Sequence, residues 1–322
     1  MKRPTFNRSL LGWLIFIVVM SILPAFVPTS YVRICIFANF MAIFAMSWDI
    51  LSGYTGYISF GHPFIIGLAG YGTAIASLRF GVPLYASIPI GVGIGIGAGM
   101  LFFLPGLRLR GNYFCLVTLA ALIVVHHLMI AIRPDLTGAT RGLTGLESVV
   151  MGAVPNYYLS LGIMFASAIG LLYVAKSNLG DALNAIRMDE DVVSGLGLST
   201  LKFKLVAFTL SALVASIGGV FYTHYLASIS PESIFGVDFL LAIIVAALVG
   251  GQNTIVGPII GAYFLTFILE YLRPYIPGTS RFLIYSVVAL GLYVFRSRGI
   301  MGIVREVSKW YRERKEKRLE YG

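Results

Sequence analysis

Apolar runs long enough to cross a bilayer recur along the whole 322-residue chain. A hydrocarbon core about 30 Å thick needs roughly 20 apolar residues in helix. Segments at or near that length fall at 10–28, 33–51, 64–78, 84–104, 113–132, 157–175, 204–227, 238–250, 257–272 and 281–295. Only helices and closed barrels satisfy their own backbone in lipid. The pattern therefore predicts an all-α fold, a polytopic membrane helix bundle of about ten transmembrane segments, with a range of about eight to eleven. The third, eighth, ninth and tenth runs fall short of a full crossing and read as tilted, broken or re-entrant segments. Composition agrees. Hydrophobic residues make up 58% of the chain and charged residues only 12%, where a soluble domain carries about 25% charged. So few charges cannot cover a soluble fold of this size, which excludes an ordinary soluble enzyme, a disordered chain and a nucleic-acid-binding domain. Cys35 and Cys115 both lie inside apolar runs and offer neither a disulfide framework nor metal spacing.

The basic residues orient the bundle. The first apolar run follows Lys2, Arg3 and Arg8, but it is longer than a signal-peptide core. Pro24 and Pro28 follow it without a small-residue cleavage site, so it reads as a retained helix. With ten spans, one side receives 18 Lys and Arg residues: the N-terminus, Arg108 and Arg110, the 176–203 loop with Lys204 just after it, and the tail from Arg296. The other side receives six: Arg33, Arg79, Arg133, Arg141, Arg273 and Arg281. The positive-inside rule then puts both termini in the cytoplasm of a multi-pass protein. Residues 1–295 form one transmembrane domain, with 176–203 as a cytoplasmic loop inside it. Residues 296–322 form a tail with nine basic and four acidic residues, suited to anionic headgroups rather than to nucleic acid.

No phosphate-cradling G-x-x-x-x-G-K-[ST] run occurs, and neither H-E-x-x-H nor G-x-S-x-G is present. His126 and His127 are adjacent, about 100° apart around a helix, and read as polar residues facing the bundle interior rather than as a metal pair. No catalytic residues and no metal ligands are expected.

Three places break the apolar pattern. In the first, Leu51–Pro63, glycines and a proline interrupt the helix signal among Ser52, Gly53, Tyr54, Thr55, Gly56 and Ser59, with Asp49 and His62 flanking the break. Irregular backbone at membrane depth survives only when buried in protein or lining a wet cavity, and an intramembrane ionisable residue marks a functional site. The alternative is a cytoplasmic turn with Asp49 and His62 wet at its ends. In the second, Gly250–Pro258, the residues Gly251, Gln252 and Asn253 separate two short apolar stretches. Short, glycine-interrupted segments in both halves of a chain point to a transport path. The third is the 176–203 loop. Leu183, Ile186, Val193 and Leu196 recur at helical intervals, with Gly195 and Gly197 ending that helix. Such an amphipathic helix either docks into a groove on a soluble partner or lies in the membrane interface.

Taken in order, these places resemble one family. SWDILSGYTGYISFGH (47–62), RGNYFCLVTLA (110–120), LTGATRGLTGL (136–146), LGDALNAIRMDEDVVSGLGLSTLKFKLVAF (179–208), SISPESIF (228–235), LVGGQNTIVGPIIGA (248–262) and FRSRGIMG (295–302) look like the permease of prokaryotic branched-chain amino acid ABC importers, of the LivM type. The resemblance covers almost the whole chain and implies a permease domain in the prokaryotic plasma membrane. It also implies a second, similar permease as partner, two cytoplasmic ATPase subunits carrying ATP and Mg, and an extracytoplasmic substrate-binding protein. No cofactor is expected in this chain itself. The resemblance makes 181–197 the ATPase-coupling stretch, with Asp181, Ile186, Arg187, Asp189, Glu190, Gly195 and Gly197 as its candidates. Asp49, Ser52–Gly56, Ser59, His62 and Gly251–Asn253 are the candidates for the path or its gate. Pro63, Ala139 and Ser194 depart from the usual residues at their positions. Close relatives carry urea or short amides. A secondary transporter using Asp49 and Glu270, or a membrane scaffold, would explain the same apolar pattern without an ATPase.

Overall fold

The computed structural model describes residues 16–108 and 113–275, together with 284, 287, 288, 291 and 299–302. Most of the expected tenth span, 281–295, and most of the basic tail lie outside the described residues. Among the described residues seven helices are long and apolar enough to cross a membrane, and two shorter apolar helices accompany them. In chain order these and the loop helices are α1 (Phe16–Ala25), α2 (Thr29–Trp48), α3 (His62–Phe80), α4 (Leu84–Phe103), α5 (Tyr113–Ala131), α6 (Ala153–Ala175), α7 (Asn178–Met188), α8 (Glu190–Gly195), α9 (Thr200–Leu226), α10 (Val237–Gly250) and α11 (Val256–Leu272). The third span is a full 19-residue helix rather than a short or broken one, because the Gly61–Pro63 start and Phe80 end both extend the apolar run. The eighth gains the short helical turn Pro231–Phe235 at its start.

α2 is the axis of the bundle. It is apolar all round, and 89% of its membrane window is buried, as expected for a helix surrounded by others. It packs against α6, α9, α10 and α11, while α3 lies between α4 and α9. Near its middle, Asn39 donates to Ser160 of α6 at 3.0 Å and accepts from Tyr263 of α11, which satisfies its amide inside lipid. α4 approaches α3 closely through Gly91, Gly95 and Gly99. A Cβ at Gly91 would come within 2.6 Å of the Ala69 carbonyl oxygen, so small residues set that helix spacing. α4, α5 and α6 bury under a third of their windows. His127 on α5 is exposed, its Nδ1 donating to the Ile123 carbonyl at 2.9 Å. His127 therefore does not turn inward as expected and satisfies one nitrogen on its own helix, whereas His126 is half-buried with its Nε2 inside the protein.

Alternate connections collect at opposite ends. At one end, Leu143–Thr144 pairs antiparallel with Ser228–Ile229, a small two-stranded sheet in an otherwise helical protein. Gly142, with φ 73°, lets the backbone pass against the Ile229 carbonyl. Two of the sequence motifs, 136–146 and 228–235, are thus clasped together. The opposite end holds the 49–61 break, the 251–255 turn, and α7 with α8.

Candidate functional site: a junction of three helix breaks

α2 does not simply stop at Trp48. Its hydrogen-bond ladder widens into a π-turn over Asp49–Gly53, all five residues buried. Such turns insert an extra residue into a helix and favour functional positions. The Thr55 hydroxyl donates to the Leu51 carbonyl at 2.6 Å, and Gly56, at φ 78°, reverses the chain. Residues 56–61 then return without helix, held by the Ser59 N–H on Ser52 Oγ (3.0 Å) and by the Trp48 indole on the Ser59 carbonyl (2.8 Å). α3 begins at His62, and Pro63 occupies its first turn, where no N–H is needed. The departure at Pro63 is therefore compatible with this backbone path.

Asp49 and His62 are both fully buried, so neither sits wet at the end of a turn. They serve different networks. The Ser211 hydroxyl gives its one proton to the Ser47 carbonyl at 2.6 Å, which makes His62 Nε2 the donor to Ser211 Oγ at 2.9 Å. Asp49 instead faces the second break. Its Oδ1 accepts the Asn253 N–H at 2.6 Å, and its Oδ2 accepts the N–H groups of Thr254 and Ile255, both at 3.1 Å. Positive φ at Gly251, Asn253 and Ile255 curls this turn so that successive N–H groups converge, the backbone concavity that binds anions. Here the anion is a side chain of the same protein. Gly53 lies directly over it: an added Cβ would overlap the Asp49 carboxyl and sit 2.9 Å from the Asn253 nitrogen.

The third break completes the junction. The 178–195 region is two short helices rather than one. Asp189 ends α7 in extended conformation and caps α8, its Oδ1 accepting from Asp191 N (2.9 Å) and Val192 N (3.1 Å). Of the periodic apolar residues, Leu183, Ile186 and Val193 are buried against the protein itself, and Leu196 is 74% exposed. Leu196 lies past the last residue of α8, so the helical period does not carry through to it. Arg187 reaches back to donate to the Gly53 carbonyl at 2.6 Å, and Asn184 accepts from Asn253 Nδ2 at 2.9 Å. Glu190 turns inward, accepting from Tyr57, from Thr200 at 2.9 Å and from Lys204 at 2.8 Å. Burial pushes its carboxyl up, but the hydrogen bonds from Lys204, Tyr57 and Thr200, with the Lys204 charge, outweigh that and hold it below the usual carboxylate range.

The sequence-derived candidates thus divide. Asp49, Gly53, Asn253, Arg187 and Glu190 meet in or beside one junction. Ser52, Thr55 and Ser59 brace the returning chain, Tyr54 is buried, and Gly251 and Gln252 shape the turn. Ile186 is packed inside the protein, while Asp181, Gly195 and Gly197 are exposed. Asn184, Tyr57, Thr200 and Lys204 escaped the sequence reading because none carries a spacing signal. Met188 and Val192, exposed by 89% and 60%, also escaped it: neither falls in the periodic set of Leu183, Ile186, Val193 and Leu196.

The profile of the permease component of branched-chain amino acid transport systems matches residues 30–295. The high-affinity branched-chain amino acid transport system permease protein LivM of Escherichia coli K12 is 25% identical, covering 94% of this chain and 78% of that protein. LivM of Salmonella typhimurium is 26% identical over 88% of this chain and 72% of its own length. The ribose import permease protein RbsC of E. coli K12 is 30% identical over a shorter stretch, 36% of each chain. A match that runs from the start of α2 past the junction and through α11 leaves little of the chain outside it, and this chain belongs to the family of permease components of branched-chain amino acid transport systems.

Proposed function

We propose that this chain is the membrane-spanning permease subunit of an ATP-binding-cassette importer for branched-chain amino acids in the prokaryotic inner membrane, with leucine, isoleucine and valine as its substrates. One observation carries the reading. A pair of short helices between two spans is bonded to both helix breaks, yet exposes Met188, Val192 and Leu196 at its surface. An exposed apolar surface on a loop between two spans suits a groove on a soluble partner. The partner in this reading is one of two cytoplasmic ATPase subunits, which bind ATP and Mg. This chain is not itself an enzyme and contains no phosphate-cradling motif.

The 18-to-6 division of Lys and Arg between the two sides supports a cytoplasmic location for the loop and for both termini. A binding protein delivers substrate at the opposite end, where the clasped 136–146 and 228–235 segments offer an ordered surface. A second, similar permease completes the path. Closure of the ATPases on ATP moves α7 and α8, and the junction passes that motion to α2 and α11. Nucleotide shifts the two access states only by its differential affinity for them.

Reconstitution of the chain with its second permease, ATPases and binding protein in proteoliposomes tests this. ATP-dependent uptake of leucine, isoleucine or valine is expected, and hydrolysis without any such uptake contradicts the reading. Gly197→Trp, at an exposed φ of 79°, is expected to uncouple hydrolysis from uptake while leaving insertion intact.

A further inference from the structure

The arrangement around Asp49 has a directional feature. α7 grips the junction at two points one helical turn apart. Arg187 holds the Gly53 carbonyl at 2.6 Å, at the end of the α2 π-turn. Asn184 holds Asn253 at 2.9 Å, in the turn that leads into α11. Asp49 ties those two targets to each other through three backbone N–H groups. The result is a closed loop of contacts: α7 to α2, α2 to the α11 turn, and the α11 turn back to α7. Asn184 is fixed in place on its own helix by a bond from its Nδ2 to the Gly180 carbonyl at 3.1 Å. That leaves its Oδ1 to accept from Asn253.

We infer that Asn184 is a positioning residue that carries movement of the coupling helix to the start of α11, so that α2 and α11 shift as one unit rather than sliding past each other. Without the Asn184 contact, α7 still pulls on α2 through Arg187. The start of α11 then follows only through Asp49, and part of the motion is lost as local flexing of the 251–255 turn, where Asn253 and Ile255 already adopt positive φ. The Asn184 amide bonds to Gly180 and Asn253, not to the exposed apolar residues of α7 and α8, so this role is separate from holding the ATPase. The inference rests on the importer reading, and the experiment below separates the two.

The test uses the complete reconstituted transporter and reads amino acid taken up per ATP hydrolysed, alongside the amount of ATPase retained on the permease. Asn184→Leu keeps the size of the side chain but removes the acceptor, whereas Asn184→Asp keeps an acceptor oxygen for Asn253. Uptake per ATP should fall about fivefold or more in Asn184→Leu and stay within about twofold of wild type in Asn184→Asp, at equal ATPase retention. An unchanged ratio in Asn184→Leu overturns the inference. Equal losses in both variants also overturn it, because packing rather than the acceptor would then matter, and so does a loss that tracks lost ATPase. Wild-type transporter that hydrolyses ATP without moving any branched-chain amino acid overturns the importer reading itself, and the inference falls with it.

Discussion

Asp49 accepts the backbone N–H of Asn253 at 2.6 Å across 204 residues of sequence, which joins the end of one buried helix to the beginning of another. Two further N–H groups converge on the same carboxyl. Asp49→Ala would leave three donors without a partner, one buried and two part-buried, and a buried one costs about 1–3 kcal/mol. The expected outcome is loss of monodisperse, folded transporter in detergent, read by fluorescence-detected size exclusion after heating. Asp49→Asn retains one acceptor oxygen, and its loss should be smaller than that of Asp49→Ala. Equal stability of all three proteins would contradict the role given to Asp49.

Gly53 has no room for a side chain between Asp49 and the Asn253 nitrogen. Gly53→Ala should push the carboxyl away from its donors at a cost of about 1–3 kcal/mol. Uptake should fall by about tenfold or more, since 1.4 kcal/mol is a factor of ten in an equilibrium. Glycines at 93 and 97 have open space around them, so Gly93→Ala is the matched control and should leave uptake near wild type.

The Glu190–Lys204 pair fixes α8 to the first turn of α9, with side-chain exposures of 17% and 3%. Removing one partner of a buried pair costs about 3–5 kcal/mol, and the solvent edge of Glu190 puts Lys204→Met toward the lower figure. Because the Glu190 carboxyl is held below its ordinary value of 4.5, its contribution is complete above that pH. It disappears as pH falls through the lower folded value. Amide exchange across 190–200, corrected for intrinsic rates, should show constant protection from neutral pH down to about 5 and a loss below the ordinary carboxylate range. Glu190→Gln should abolish that acid step.

Met188 and Leu196 stand out from the protein by 89% and 74%. Charging them should weaken ATPase association without disturbing the permease fold. Met188→Asp together with Leu196→Asp is expected to lower ATPase co-purification by about tenfold or more, on the scale of a lost interface anchor, with an unchanged thermal midpoint for the permease alone. Retained co-purification would move the docking surface elsewhere.

Ala139 occupies a left-handed conformation, φ 49°, where the resemblance would place glycine. That backbone costs a non-glycine residue about 1–2 kcal/mol, and the extra freedom of an unfolded glycine offsets about 0.5–1 kcal/mol of it. Ala139→Gly should therefore stabilise the 133–146 segment by about 0.5 kcal/mol, visible as slower amide exchange there.

The sequence by itself determined that this is a lipid-embedded helix bundle, where most helices run, and that three places interrupt them. Those conclusions are local: twenty apolar residues in a row, or glycines beside a proline, carry their meaning without knowledge of the rest of the chain. It also marked Asp49 and Asn253, at breaks in apolar sequence, and the resemblance marked Arg187 and Glu190 in the loop. What only the tertiary structure decided is that these residues belong to one junction. Asp49 meets Asn253, Asn253 meets Asn184, and Arg187 meets Gly53 through contacts spanning 204, 69 and 134 residues. Several of those bonds end on backbone groups, which every residue possesses and no sequence pattern can single out. The break at Asp189 is decided the same way. The capping bonds of α8 and the Lys204–Glu190 pair replace a single long amphipathic helix with two short ones, and Leu196 is left exposed past the end of the second.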